Sequence, residues 1–190
     1  MMSSVADVTR VKHLVRGEPL SETRSATSEI FTAWLQDYGG IPGKLARSFA
    51  INPEDQRDLR QQMYLQIWRS IGSFSAQAKA STWIYRVCLN TAMTWQRSEK
   101  RRRLFFERIS PPDLFPNESE TLDNPRLEAL YSAIRELRPA DRVLILLHLE
   151  ERSYREIAEI TGLTETNTGV RLQRVKRELA RRLTKTSHHD

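Results

Sequence analysis

One cysteine, Cys88, stands in 190 residues. A single thiol closes no internal disulfide and makes no metal-site pattern. It lies in the string Tyr85-Arg86-Val87-Cys88-Leu89, which predicts a buried structural thiol. Histidine is also sparse: His13, His148, and a terminal His188-His189 that reads as tail. With no His-x-x-x-His or Cys-x-x-Cys pair, the usual zinc arrangements are excluded. No catalytic residue, metal or cofactor is expected. Long apolar runs are missing too. The longest, Val143 to Leu147, is far short of the roughly 20 residues that cross a bilayer. The opening MMSSVADVTR has no apolar core of a signal peptide behind its charges. These two absences predict no membrane insertion and a cytoplasmic location. Alternating strand patterns are absent as well, which leaves an all-α fold.

Charge is what the chain has in quantity. Thirty Lys and Arg against 24 Asp and Glu give a formal net charge of +6. Its placement says more than its sum. Arg97 to Arg108 (RSEKRRRLFFER) and Arg171 to Lys185 are strongly basic, whereas Ile109 to Pro125 (ISPPDLFPNESETLDNP) carries acids and no base. Two basic patches flanking an acidic connector suit a polyanionic partner better than intermixed surface charge does.

The apolar spacing predicts two small helical domains joined by a flexible linker. Residues 1–25 are polar and aperiodic, a flexible N-terminal tail. The first domain spans 26–104. Ile30, Trp34, Leu35, Tyr38, Leu45 and Phe49 have helix-like spacing, with a break expected across Gly39-Gly40-Ile41-Pro42-Gly43. Asn52-Pro53-Glu54-Asp55 is a start signal: a capping Asn, Pro at the first helical position, and acids in the first turn. Leu59, Met63, Ile67 and Ile71 then share a face, and Gly72 ends the helix. After the polar loop Ser73 to Ser81, another helix begins near Thr82, with Trp83, Val87, Thr91 and Trp95 on one face. The acidic, Pro-rich linker covers 105–125. The second domain spans 126–184, and 185–190 is a tail. In it Leu127, Leu130, Ile134 and Leu137 mark one helix and Arg138-Pro139-Ala140-Asp141 starts the next.

Ser153 to Lys176 is the most specific local signal. Ser153-Tyr154-Arg155-Glu156 is a capping box. Ala158 is small where a second helix must cross closely, and Gly162 permits the positive φ of a tight turn. Leu163 plugs the corner, and Ile157, Leu163, Leu172, Val175 and Leu179 form the inner face. The second helix then presents Thr166, Asn167, Arg171 and Arg174 outward, with Lys176 and Arg177 on its flanks. This is a helix-turn-helix, whose second helix fits the major groove; Arg there bridges guanine acceptors and Asn pairs with adenine.

Three blocks carry a family resemblance. Ser81-Thr82-Trp83-Ile84-Tyr85-Arg86-Val87-Cys88-Leu89-Asn90-Thr91-Ala92 resembles the signature of sigma domain 2 in the extracytoplasmic-function (ECF) group of the sigma-70 family. Glu54-Asp55 through Asp58-Leu59-Arg60-Gln61-Gln62-Met63-Tyr64 to Ile67-Trp68 resembles that group's polymerase-docking helix. Leu137-Arg138-Pro139 with Ser153-Tyr154-x-Glu156-Ile157-Ala158 and Arg171-Leu172-x-Arg174 resembles sigma domain 4. The blocks fall in family order over roughly 30–184. The resemblance implies an RNA polymerase specificity subunit that recognises −10 and −35 promoter elements. It implies three partners: core RNA polymerase (its clamp and flap regions), promoter DNA, and an anti-sigma factor. Asp55, Asp58, Leu59, Gln61, Gln62, Tyr64 and Trp68 would meet polymerase. Phe74, Lys79, Trp83, Tyr85, Arg86, Asn90 and Arg97 would hold the unpaired −10 strand. Thr166, Asn167, Arg171, Arg174 and Lys176 would meet the −35 duplex. The acidic linker would thread through the polymerase. Departures from the family pattern are Gln62 for a usual Glu, Thr94 for Asp, Glu151 for Gly, and Thr168 for an apolar residue.

The residue chemistry fits those roles. Stacked bases gain about 1–3 kcal/mol each on aromatic rings, and cations hold the phosphates. Phe74, Trp83, Tyr85 and Trp95 lie among Lys79, Arg86, Arg97 and the Lys100–Arg103 run. Trp83 and Trp95 also share a face with Val87, so at least one belongs to the core. Two other classes are weighed against this reading. A dimeric helix-turn-helix regulator needs a dimerisation helix, and none is evident. A nuclease needs clustered metal ligands; Glu54, Asp55 and Asp58 cluster at a helix start, where they suit the helix dipole instead.

Overall fold

Proline and glycine set several of the helix boundaries. A computed structural model of the chain describes residues 20–106 and 124–186. The two tails and most of the acidic linker therefore lie outside the described residues. Helix α1 runs Leu20–Tyr38 and α2 runs Gly40–Phe49. The break between them is one residue, Gly39, rather than the five-residue interruption the sequence suggests. Pro42 stays helical because it falls in the first turn, where its missing N–H has no partner to lose. Asn52 and Pro53 open α3 (Pro53–Ser70), with Glu54 and Asp55 in its first turn. The Asn52 side chain does not cap the helix; it donates to Asp55 at 3.4 Å. Gly72 does not stop the chain abruptly, since a short 3-10 turn, Ile71–Ser73, carries it past that point. Helix α4 spans Ala80–Phe106. It starts two residues before Thr82, because the Lys79 carbonyl already accepts from the Trp83 amide at 3.1 Å.

Four more helices follow: α5 (Pro125–Arg135), α6 (Pro139–Leu149), α7 (Tyr154–Thr161) and α8 (Glu165–Thr186). The described residues contain no strand. Asn124 caps α5 by accepting from the Arg126 and Leu127 amides at 3.1 and 3.3 Å. The capping box of α7 is complete: Ser153 accepts from the Glu156 amide, and Glu156 accepts from the Ser153 amide at 3.1 Å. Gly162 ends α7 at φ 76°, in the left-handed region that favours glycine. Thr164 then caps α8, its hydroxyl accepting from the Asn167 amide at 3.2 Å.

The i, i+4 stripe of α3 packs inward. Leu59, Met63, Ile67 and Ile71 are buried against Ile30, Trp34, Ile84 and Cys88. Each such side chain contributes about 1.5–3 kcal/mol by leaving water. Val143 to Leu147 are all buried in α6, the centre of the second unit, where Ile134, Ile157, Leu172, Val175 and Leu179 close around them. Thr168, also buried, donates its hydroxyl to the Thr164 carbonyl at 3.0 Å, so the helix backbone satisfies it. Cys88 is fully buried, and burial pushes its thiol up to about 12.

Candidate nucleic-acid interface

The outer side of α3 is polar because its apolar stripe is spent on the core. Asp58, Gln61 and Gln62 are exposed and Asp55 half-buried. The other residues singled out on this helix face inward to differing degrees. Leu59 is wholly buried. Tyr64 donates to the Gly39 carbonyl at 3.0 Å, tying α3 to the α1–α2 break. Trp68 packs edge-on against Phe31, with ring centroids 5.2 Å apart. These three build the helix's seat. Leu65, by contrast, is 47% exposed beside Gln62. It is an apolar residue out of register with the buried stripe, which is the signal that sequence reading passed over.

An open groove of about 600 Å³ runs between α3 and α4. Gln62, Leu65, Gln66 and Arg69 line one wall, and Trp83, Asn90, Thr94 and Trp95 the other. Trp83 serves both readings of its role: half-buried, it packs on Trp34 and Phe74 at 5.5 and 5.6 Å and still faces the groove. Phe74 itself is buried, edge-on to Trp34 at 5.2 Å, so its ring is a core element and not a free stacking platform. Arg97 is exposed further along α4.

The remaining −10 candidates face the other way, towards the C-terminal unit. Lys79 pairs with Glu156 at 2.9 Å. The guanidinium of Arg86 donates to the Glu159 carbonyl, its Nε at 3.1 Å. Tyr85 is buried, donates its hydroxyl to Glu150, and lies under Arg152, whose guanidinium is 5.7 Å from the ring centroid. Hydrogen bonds from Lys79 and from the Ser153 amide hold the Glu156 carboxyl down at about 2. The sequence groups seven residues as one strand-binding set; the structure splits them between a groove, a core and an interdomain contact.

On α8 the outward face carries Thr166, Asn167, Val170, Gln173, Arg174 and Arg177, all exposed, with Lys176 half-buried on the flank. Arg171 differs from the expectation that it points outward. Its Nε donates to Oδ1 of Asp141 at 2.8 Å, while Arg138 donates to Oδ2 at 2.8 Å. Asp141 is a buried acid, and a buried carboxylate needs partners for both oxygens. That demand draws Arg171 back onto α6. Val170, 60% exposed, holds the outward position instead. Like Leu65, it is apolar and out of register with its helix's buried stripe.

Comparison with known proteins adds two family matches and several relatives. Residues 43–102 match the model of sigma-70 region 2, and residues 127–179 that of sigma-70 region 4. The chain is 27% identical over 146 residues to RNA polymerase sigma factor YlaC of Bacillus subtilis, covering 72% of this chain and 82% of that protein. It is 29% identical over 140 residues to the ECF RNA polymerase sigma-E factor of Haemophilus influenzae, covering 63% and 69%. Among solved structures, CnrH in complex with the cytosolic domain of CnrY is similar at a TM-score of 0.62 and 20% identity, covering 95% of this chain and 98% of that one. The sigma factor RpoE of Bartonella quintana, in complex with the anti-sigma factor NepR, matches at 0.62 and 20%, covering 80% and 95%.

Proposed function

The chain belongs to the extracytoplasmic-function group of the sigma-70 family of RNA polymerase sigma factors, and from that premise we propose how its surfaces divide the work. It is a transcription initiation factor that binds core polymerase and recognises −35 and −10 promoter elements. It is not an enzyme, and it acts in the cytoplasm. The exposed side of α3 docks on polymerase: Asp58, Gln61 and Gln62 give polar contacts around Leu65, the apolar centre of the patch. The groove between α3 and α4 receives unpaired −10 bases, which stack on Trp83 and meet Asn90, while Arg97 holds phosphates; Lys79 and Arg86, engaged by Glu156 and the Glu159 carbonyl, lie outside the groove. Helix α8 lies in the major groove of the −35 duplex and reads it through Asn167 and Arg174. Arg171 braces the helix from behind. An anti-sigma factor restrains the protein, as NepR accompanies RpoE in the structure above.

The observation that carries this reading is the order of the two matched regions along one chain, with a basic, outward-facing second helix in the C-terminal one. The test is transcription in vitro with core polymerase on a genomic template, followed by sequencing of 5′ ends. Discrete starts are expected, each preceded by a shared pair of elements near −35 and −10. A set of starts identical to that of core polymerase alone would refute the proposal. Sequence-specific nanomolar binding of a palindrome by the protein without polymerase would indicate a dimeric regulator instead.

A further inference from the structure

Among the described residues no large apolar side chain is more exposed than Val170, at 60%. Valine gains nothing there from burial, and as a β-branched residue it forms helix less readily than alanine. Its angular place on α8 gives a reason for it. Successive residues of an α-helix advance by about 100°. Thr168, Leu172, Val175 and Leu179 are buried and face the core of the C-terminal unit. Their mean direction lies about 170° round from Val170. Val170 is therefore the crest of the helix, the point furthest from the core. Thr166, Asn167, Gln173, Arg174 and Arg177 fall within about 60° on either side of it, and all are exposed. Arg171 stands about 100° round, on the flank, where it reaches Asp141.

The crest of a helix meets the floor of the groove that receives it. A DNA major groove about 12 Å wide and about 8.5 Å deep admits a helix about 10–12 Å across. The flanking polar side chains then meet base edges or phosphates, and Val170 lies against the base pairs themselves. Its side chain has no donor and no acceptor. Set against the amino group of adenine or cytosine, or the acceptors of guanine, it would leave that group without water and without a partner. Thymine alone presents an apolar group in this groove, its 5-methyl. Asn167 and Arg174 are separated by about 10 Å along the helix axis, the height of about three base pairs. Val170 sits between them.

We propose that Val170 is a specificity-determining residue, which selects a thymine in the −35 element by contact with the 5-methyl group, at a base pair between those met by Asn167 and Arg174. The assignment rests on the reading of α8 as the helix that enters the −35 major groove. It adds to that reading an apolar determinant, where only hydrogen-bonding residues were assigned.

Deoxyuridine substitution tests it, because uracil differs from thymine in the methyl alone. The full-length chain with core polymerase transcribes from the promoter it prefers in a library randomised across the −35 element. Each −35 thymine, on either strand, is then replaced singly by uracil. At one position the exchange should lower output about fourfold, the effect of one buried methyl at about 0.8 kcal/mol. Val170→Ile keeps a branched apolar side chain and should retain that sensitivity. Val170→Ser should respond equally to thymine and uracil, with thermal melting unchanged because the position is exposed. A preferred element with no thymine on either strand would overturn the assignment. So would equal output from thymine and uracil at every position in the wild type, or a uracil loss that persists in Val170→Ser. Lower recovery of core polymerase by Val170→Ser, with no thymine effect, would make Val170 a polymerase contact and overturn it as well. Transcription that ignores the −35 sequence altogether refutes instead the promoter reading on which the assignment rests.

Discussion

Arg171 offers the sharpest test of how α8 meets DNA. In the structure its guanidinium satisfies one oxygen of Asp141, whose side chain is 7% exposed, while Arg171 is 31% exposed. Arg171→Ala leaves a buried carboxylate with Arg138 alone. Breaking a fully buried pair costs about 3–5 kcal/mol, and breaking an exposed one costs under about 1 kcal/mol. This pair lies between the two, because water reaches the Arg171 side and Arg138 stays in place. A loss of about 2 kcal/mol follows, or roughly 10 °C in Tm for a unit this small. Transcription from a library randomised across the −35 element should fall evenly at temperatures near the lowered Tm, with the order of preferred sequences unchanged. Arg174→Ala should do the reverse: unchanged Tm, and relaxed preference at one or two positions, as loss of a base contact worth about 1–3 kcal/mol requires. Thermal melting followed by circular dichroism, with the library readout, separates the two. If Arg171→Ala melts with the wild type and relaxes one base position, Arg171 leaves Asp141 to read DNA, and the brace assignment is wrong.

Three further outcomes are expected. Asp58→Arg, at an exposed position on α3, should weaken co-purification with core polymerase at least tenfold, an effect of about 1.4 kcal/mol, with helical circular dichroism unchanged; undiminished recovery would remove α3 from the docking surface. Glu151 adopts φ 58° at a non-glycine position, whereas Gly162 holds φ 76° as glycine. Left-handed backbone costs other residues about 1–2 kcal/mol, so Gly162→Ala should lower Tm by several degrees while Glu151→Gly should raise it slightly, and a shift of the same sign in both would contradict the strain argument. The Glu156 carboxyl sits at about 2, below its ordinary 4.5. Its depressed pKa adds stability that is complete above about 4.5 and is lost as pH falls towards about 2. The Tm gap between wild type and Glu156→Gln should therefore stay constant from pH 6 to 8 and close in acid; a gap that widens in acid would reverse the assignment.

Local physics made much of this protein legible from its residues. The capping box at Ser153 and Glu156, the left-handed Gly162, the acid-led start at Pro53 and the buried stripe from Leu59 to Ile71 depend on neighbours within about two helical turns. The local string Tyr85-Arg86-Val87-Cys88-Leu89 also identified Cys88 as a core thiol. Two kinds of feature escaped. Leu65 and Val170 were passed over because apolar residues out of register look like noise until their exposure is seen. Arg171 was misdirected because its helical position points it outward, whereas its partner Asp141 lies 30 residues away. No spacing rule registers the demand of a buried carboxylate for two donors. The same holds for Lys79, Tyr85 and Arg86, whose partners are 77, 65 and 73 residues distant. Sequence alone determined most of the helices, the capping box at Ser153 and the family, because those rest on short-range periodicity and motif order. Tertiary structure decided which charged side chains are free for DNA, because a charge turns towards whatever unpaired group the fold brings beside it.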